Sequence, residues 1–149
     1  MYEIYTDGAT SKNGHENAPG GWAWILLDKN ERILMCDSGH VFRATNNICE
    51  LLAVIDACES VSSKAEYTIY SDSAYIINCY KDKWYVKWLA NGWVNSKKQP
   101  VANKELWERL IPYFENPNFH FEKVKGHANN KFNNIVDEMA VKAKFTEED

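Results

Sequence analysis

The stretch Tyr2-Glu3-Ile4-Tyr5-Thr6-Asp7-Gly8-Ala9 decides how the rest of the chain is arranged. Its side chains alternate between two faces, which is typical of a pleated β-strand. Asp7 stands where this strand is predicted to stop, and Gly8 behind it permits a sharp turn of the backbone. A turn alone would explain Asp7 and Gly8. The alternative is a carboxylate at the tip of a buried strand, and the other acidic residues of the chain decide between the two.

Length and composition predict one domain spanning residues 1–149. The chain is 45% hydrophobic and 26% charged, as expected of a soluble globular protein. No apolar run approaches the roughly 18 residues of a membrane span, and the N-terminus lacks the pattern of a signal peptide. Four cysteines, none of them in a C-x-x-C pair, are predicted to be reduced core residues of a cytoplasmic protein: Cys36, Cys49, Cys58 and Cys79.

Charge is unevenly distributed along the chain. The net charge of −4 is weak evidence against a nucleic-acid partner. The segment from Lys81 to Lys104, however, holds six lysines and one aspartate, a local charge of +5. A basic face of this kind is compatible with a phosphate-bearing partner even when the whole chain is acidic.

Apolar periodicity predicts three antiparallel strands followed by alternating helices and strands. After the first strand, the predicted strands are Gly21–Leu27, Arg32–Gly39, Tyr67–Tyr70 and Phe119–Val124. The predicted helices are Ile48–Val61, a helix through Ile77 and Cys79, Trp84–Ala90, a helix from Asn103 through Ile111, and Asn133–Phe145. This order predicts an α/β fold in which a mixed five-stranded sheet is covered by helices on both faces.

Four acidic residues stand out by their position on apolar elements. Asp7 and Asp72 each follow an apolar strand, and the tips of parallel strands are common ligand sites. Glu50 and Asp137 lie near the starts of apolar helices. Taken singly, Glu50 and Asp137 could favour a helix dipole, and Asp72 could be an N-cap. Together they lack obvious basic partners, and a cluster of oxygen ligands favours Mg²⁺ or Mn²⁺ over zinc. Two such ions about 3.5–4 Å apart are a standard arrangement for phosphodiester hydrolysis.

Four motifs, in this order and spacing, cover nearly the whole chain. They are Tyr5-Thr6-Asp7-Gly8-Ala9, Thr45-Asn46-Asn47-Ile48-Cys49-Glu50-Leu51, Tyr70-Ser71-Asp72-Ser73, and Val124-Lys125-Gly126-His127-Ala128 followed by Asp137-Glu138-Met139-Ala140. In these motifs the chain resembles the type 1 ribonucleases H. The resemblance implies a ribonuclease H-like fold with strand order 3-2-1-4-5. It also implies endonucleolytic hydrolysis of the RNA strand of RNA–DNA hybrids, leaving 3′-hydroxyl and 5′-phosphate ends.

The resemblance assigns a role to each candidate catalytic residue. It implies two Mg²⁺ ions, with Mn²⁺ as a substitute, held by Asp7, Glu50, Asp72 and Asp137. Asp7 would bridge both ions, Asp137 would complete the site that activates water, and Glu50 and Asp72 would hold the second ion. His127 would assist proton movement or product departure. Its alternative is a surface histidine with no role.

The same resemblance implies a surface for the hybrid duplex. The implied substrate-binding residues are Asn17, Arg43, Thr45, Asn46, Asn47, Tyr75, Trp84, Lys97, Lys98 and Asn103. Asn46 and Asn47 carry amides suited to a minor groove lined by 2′-hydroxyls, with helix capping as the alternative. The segment Trp84–Lys98, here called the protrusion, resembles the basic protrusion of the family. It has Leu89-Ala90-Asn91 where many relatives carry Lys-Lys-Arg, which predicts weaker hybrid binding and unchanged chemistry.

Two alternatives to this function remain at the level of sequence. A related two-metal nuclease acting on DNA, of the resolvase or transposase kind, would share the fold but usually needs dimerisation or further DNA-binding domains. A non-catalytic hybrid-binding module would be expected to lose one or more acids, and all four are present. The leading expectation is a monomeric enzyme with a hybrid duplex as partner, no membrane association and no small-molecule cofactor.

Overall fold

A computed structural model describes residues 1–11, 18–124 and 130–145 of the chain. Within these residues, five strands and five helices form the fold. The strands are β1 (Tyr2–Thr10), β2 (Ala18–Leu27), β3 (Ile33–Ala44), β4 (Tyr67–Ser71) and β5 (Phe119–Lys123). The helices are α1 (Asn46–Ser60), α2 (Ala74–Asp82), α3 (Trp84–Asn91), α4 (Lys104–Phe114) and α5 (Lys131–Ala143).

The five strands form one mixed sheet in the order β3-β2-β1-β4-β5. Strands β1, β2 and β3 pair in antiparallel fashion, as a meander joined by short connections requires. Strand β4 is parallel to β1, and β5 is parallel to β4, because helices carry the chain between them. The predicted fold class and strand order are confirmed, and β1 is the central strand.

Helices cover both faces of this sheet. On one face, Ile4 of β1 and Trp24 of β2 pack in a large core with α1 and α4. On the other, a smaller core joins Ile25 and Leu27 to Phe132 and Val136 of α5. Strand residues alternate between the two cores, which explains why β2 is almost entirely buried.

The α5 face also accounts for two side chains of β1 that the sequence leaves unexplained. The Tyr5 ring stacks on Tyr70 at a centroid distance of 4.8 Å and lies 5.6 Å from the ring of Phe132. The Tyr70 hydroxyl donates a hydrogen bond of 3.0 Å to the Glu3 carboxylate. Glu3 is therefore satisfied by a neighbouring strand.

Strand β1 does not stop at Asp7, contrary to the prediction. It continues to Thr10 because residues 7–10 still pair with β2, whereas the pairing with β4 ends at Tyr5 and Tyr70. Just beyond that point, the Thr6 hydroxyl donates to the Tyr70 carbonyl at 2.9 Å. Asp7 therefore lies where β1 and β4 part, so it stands at the tip of the parallel pair while remaining inside a strand.

Gly8 is needed because β1 and α1 approach each other closely at this position, and not because the chain turns there. A Cβ atom on Gly8 would lie 2.6 Å from the carbonyl carbon of Cys49 and from the amide nitrogen of Glu50. These distances are too short for any side chain, so the absence of a Cβ atom lets α1 lie directly against β1.

Cysteine placement matches the prediction at three of the four positions. Cys49, Cys58 and Cys79 are buried, and all four cysteines are free thiols. Cys36 is exposed, and it lies in the first half of the edge strand β3, where every residue from Ile33 to Ser38 is exposed. No helix among the described residues is long and apolar enough to cross a bilayer.

Candidate active site

Asp7 and Glu50 are joined through one backbone amide. The N–H of Gly8 donates to Asp7 Oδ1 at 2.9 Å and to Glu50 Oε1 at 2.6 Å. Both carboxylates are buried, with 5% of Asp7 and 4% of Glu50 exposed. The close contact between β1 and α1 at Gly8 therefore fixes the separation of these two acids.

The N-terminal cap of α1 sets the position of Glu50. The Thr45 hydroxyl accepts a hydrogen bond from the Ile48 amide at 3.2 Å, which starts the helix at Asn46. Glu50 then falls in the second turn, on the side that packs against β1. Its Oε2 atom is buried and has no hydrogen-bond partner, so one acceptor of this buried carboxylate is left unsatisfied.

Asp72 follows β4 directly and is held by the two serines beside it. The Ser71 hydroxyl accepts from the Ser73 amide at 3.1 Å, and the Ser73 hydroxyl caps α2 by accepting from the Ile76 amide at 3.3 Å. Ser73, not Asp72, is the N-cap of α2. The Asp72 carboxylate is exposed and free to act as a ligand.

Asp7, Glu50 and Asp72 converge at the tip of the sheet. One carboxylate oxygen from each lies within 4.8 Å of the others, an arrangement that could hold a metal ion. Asp137, on the exposed side of α5, is outside this tight group of three. Its carboxyl is nevertheless close enough to Asp7 to contribute to the pKa of Asp7. We refer to these four residues as the acidic cluster.

Ionisation of the acidic cluster is unfavourable without a cation. Burial, followed by the charge of Asp72, raises the pKa of Asp7 to about 7. Burial, followed by the charges of Asp72 and Asp7, raises the pKa of Glu50 well above its usual range. Like charges held this close in a buried site favour a shared proton or a bound cation. The all-oxygen donor set and the unsatisfied Glu50 Oε2 fit a hard divalent cation.

The residues predicted to read the substrate divide into two groups. Asn46 and Asn47, at the start of α1, are exposed. Because Thr45 already provides the cap, the side chains of Asn46 and Asn47 are not needed for capping. Arg43 precedes them and is also exposed, whereas Asn103 is partly buried in a left-handed conformation before α4. Their contact with a substrate stays a prediction.

The second group lies on the protrusion, where a groove of about 380 Å³ opens. The groove is lined by Trp84, Lys87, Trp88, Asn91, Val94, Asn95 and Ser96. Lys97 and Lys98 are exposed next to it. Tyr75 lies elsewhere: its hydroxyl accepts a hydrogen bond of 3.1 Å from the Trp107 indole, which directs it toward the core.

Sequence reasoning missed Lys87 and Asn95 as groove residues. The spacing of Trp84, Lys87 and Trp88 is the signal for Lys87, because residues three and four apart share one face of a helix. No such signal exists for Asn95, since its place depends on the fold of a turn. His127 and Asn17, both predicted as site residues, lie outside the described residues.

Comparison with known proteins points in the same direction. The RNase H family model matches residues 1–145. The ribonuclease H of Thermoanaerobacter sp. (strain X514) is 43% identical over 140 residues, which are 94% of this chain and 87% of the relative. The PFV RNase H domain has a TM-score of 0.79 at 22% identity, covering 96% of this chain and 93% of that one. A foamy viral protease–reverse transcriptase solved with an RNA/DNA hybrid has a TM-score of 0.80 at 20% identity, covering 97% of this chain and 20% of that one.

Proposed function

Because the chain belongs to the ribonuclease H family, we propose that it hydrolyses the RNA strand of RNA–DNA hybrids with the help of divalent cations. The observation that carries this proposal is the acidic cluster. One oxygen from each of three carboxylates lies within 4.8 Å of the other two, and two of these carboxylates are buried. The buried Glu50 Oε2 has no hydrogen-bond partner. Such a cluster is unfavourable in an apolar environment unless cations bind to it.

We propose that Asp7, Glu50, Asp72 and Asp137 hold two Mg²⁺ ions and that Mn²⁺ substitutes for them. Bound cations of this kind stabilise charge on a phosphate in the transition state and make water more acidic. The chain itself contributes fixed geometry. Gly8 holds two carboxylates through one N–H, and the Ser71–Ser73 pair holds the backbone on either side of Asp72. Ligands that are already in place need little reorganisation when the reaction occurs.

The expected reaction is endonucleolytic and leaves 3′-hydroxyl and 5′-phosphate ends. The side chains Asn46 and Asn47 are exposed at the start of α1, four and three residues before Glu50. Their amides can both donate to and accept from 2′-hydroxyls, which distinguish RNA from DNA. The groove beside Trp84 offers an apolar surface for the sugars of the DNA strand. His127 keeps its predicted role in proton movement or product departure.

We further propose that residues 1–149 work as one catalytic domain and as a monomer in the cytoplasm. In support, the three carboxylates of the tight group, together with Asp137 near them, come from a single chain. The four cysteines are free thiols, which suits a reducing compartment.

The test is a cleavage assay on three labelled duplexes of one sequence: an RNA–DNA hybrid, an RNA duplex and a DNA duplex. Each is incubated with Mg²⁺, with Mn²⁺ and with a chelator. We expect cleavage of the RNA strand of the hybrid alone, and only when a metal is present. Cleavage of the DNA duplex would favour the DNA-directed alternative. Binding of the hybrid without any cleavage would favour a non-catalytic module.

A further inference from the structure

Residues Trp93 to Val101, here called the hairpin, form a compact two-stranded turn that begins in the protrusion and ends three residues after Lys98. The Trp93 amide donates to the Trp88 carbonyl at 2.8 Å, which ties the hairpin to α3. The Val101 amide donates to the Trp93 carbonyl at 2.9 Å, and Val94 bridges to Pro100. The hairpin therefore has a defined backbone although it is largely exposed.

Asn95 organises the tip of this hairpin. Its Oδ1 atom accepts from the backbone amides of Lys97, at 2.9 Å, and Gln99, at 3.0 Å. The Asn95 amide donates to the Gln99 carbonyl at 2.8 Å, and the Asn95 carbonyl accepts from the Lys98 amide at 2.9 Å. One asparagine thus takes part in four of the hydrogen bonds that close the loop carrying Lys97 and Lys98.

The backbone of Lys98 is held in an unusual conformation by this arrangement. Its φ angle is 62°, in the left-handed region that favours glycine or asparagine. A lysine held at this φ indicates that the hydrogen bonds of the turn offset the cost of the left-handed backbone.

The two lysines of the tip carry charge that nothing nearby neutralises. Lys97 and Lys98 are exposed, and neither takes part in an ion pair among the described residues. No acidic residue occurs between Lys83 and Lys104. At the end of α3, in contrast, Leu89, Ala90 and Asn91 are exposed and uncharged. The free positive charge of the protrusion is therefore concentrated on the hairpin tip, with Lys87 in the groove beside it.

We propose that Asn95 is a positioning residue for hybrid binding. It holds the hairpin tip so that Lys97 and Lys98 reach the phosphates of the strand that occupies the groove. The hairpin tip thereby supplies charge that the end of α3 lacks in this chain. This inference rests on the proposed function, because it takes an RNA–DNA hybrid as the ligand. Asn95 acts through the lysines and not by touching the reacting atoms.

The first test measures steady-state cleavage of a hybrid by the full chain at several salt concentrations. Asn95→Ala should raise KM about threefold to tenfold and leave kcat at saturating hybrid unchanged. The slope of log KM against log salt should fall by about one, because fewer phosphate contacts form. Asn116→Ala is the matched control: Asn116 Oδ1 accepts from the Asn118 amide at 2.9 Å in the turn between α4 and β5, outside the protrusion and the hairpin. We expect wild-type KM and salt slope from this control.

The second test asks whether Asn95 acts through the lysines. Asn95→Ala is repeated in a Lys97→Ala/Lys98→Ala background, where it should change KM by less than about twofold. Trypsin, which cleaves after lysine, should cut the tip faster in Asn95→Ala than in the wild type. Asn95→Asp should be cut as slowly as the wild type, because its side chain keeps the acceptor oxygen. An unchanged KM in Asn95→Ala, or an equal rise in both backgrounds, overturns the inference. A wild-type chain that does not cleave the hybrid overturns the proposed function instead.

Discussion

The acidic cluster and the protrusion hold opposite charges, and they are built in opposite ways. Asp7, Glu50 and Asp72 come from distant parts of the chain, and the first two are buried. The lysines of the protrusion are exposed. The hydrogen bonds that shape the hairpin join residues close in sequence, such as Asn95 and Gln99. In the cluster, the fold forces like charges together. In the protrusion, solvent surrounds each lysine. Changes to the cluster should therefore abolish function, whereas changes to the protrusion should reduce it gradually and in a salt-dependent way.

The largest expected effect is on a variant of the acidic cluster that should lose the cleavage rate and keep its affinity for the hybrid. Asp72→Asn keeps the shape of the side chain and removes one charge from the proposed metal site. We expect cleavage of a hybrid with Mg²⁺ to fall by a factor of about 10²–10³ or more. Hybrid affinity measured in chelator should stay equal or become tighter, because a negative charge near the substrate is lost.

Asp82→Asn provides the matched control for Asp72→Asn, since Asp82 is also exposed but lies at the far end of α2. It should cleave at the wild-type rate. A large loss of affinity in Asp72→Asn would contradict the separation between the two regions, and wild-type cleavage would contradict the metal site.

The next effect contrasts two glycines, one from each region. Gly8→Ala places a Cβ atom 2.6 Å from the backbone of α1, so we expect the free energy of unfolding to fall by about 3 kcal/mol and cleavage to fall with it. Gly92→Ala meets no atom within 4 Å but has a φ of 80°. It should lose about 1 kcal/mol and keep its kcat. Chemical denaturation and the cleavage assay measure both effects. Equal losses in the two variants would show that α1 tolerates displacement from β1.

The contrast between contacts distant in sequence and contacts close in sequence also explains how much of the fold could be predicted. Periodicity identifies the sheet, its helices and the four acids, because each acid stands beside an apolar element whose burial the pattern reveals. The extension of β1 past Asp7 could not be predicted, since it depends on pairing of Gly8 with Trp22 across the sheet. The exposure of Cys36 likewise depends on β3 being an edge strand. Local patterns carry no information about which strand lacks a neighbour.

For the site residues, too, the sequence predicts what local patterns carry, and contacts between distant parts of the chain are seen only in the structure. Glu50 is predictable because a charge on an apolar helix demands a partner, but its bond to the Gly8 amide requires the packing of α1 on β1. Asn95 escapes prediction for another reason: asparagine is common in turns, and only the backbone shows which amides its side chain accepts from.

An effect smaller than that of Gly8→Ala concerns the stability of the acidic cluster without metal. Because the pKa of Asp7 is raised to about 7 in the folded chain, the folded state binds more protons than the unfolded state between the ordinary carboxyl pKa and pH 7. Stability must then fall as pH rises through that window. In chelator, we expect Asp7 alone to lower the free energy of unfolding by about 2 kcal/mol from pH 5 to pH 7, a few degrees in Tm. Glu50, whose pKa is also raised, acts in the same direction.

Thermal unfolding across this pH range tests the effect, with and without Mg²⁺. Divalent cations should raise Tm more at pH 8 than at pH 5, because they replace the protons that the cluster loses. Asp7→Asn should make the dependence of Tm on pH in chelator less steep, since it removes one of the two buried charges. Asp82→Asn should retain the wild-type slope. If Asp7→Asn and the wild type fell in parallel with pH, the repulsion would lie outside the acidic cluster. The contrast between like charges crowded together in the cluster and solvated lysines on the protrusion would then be wrong.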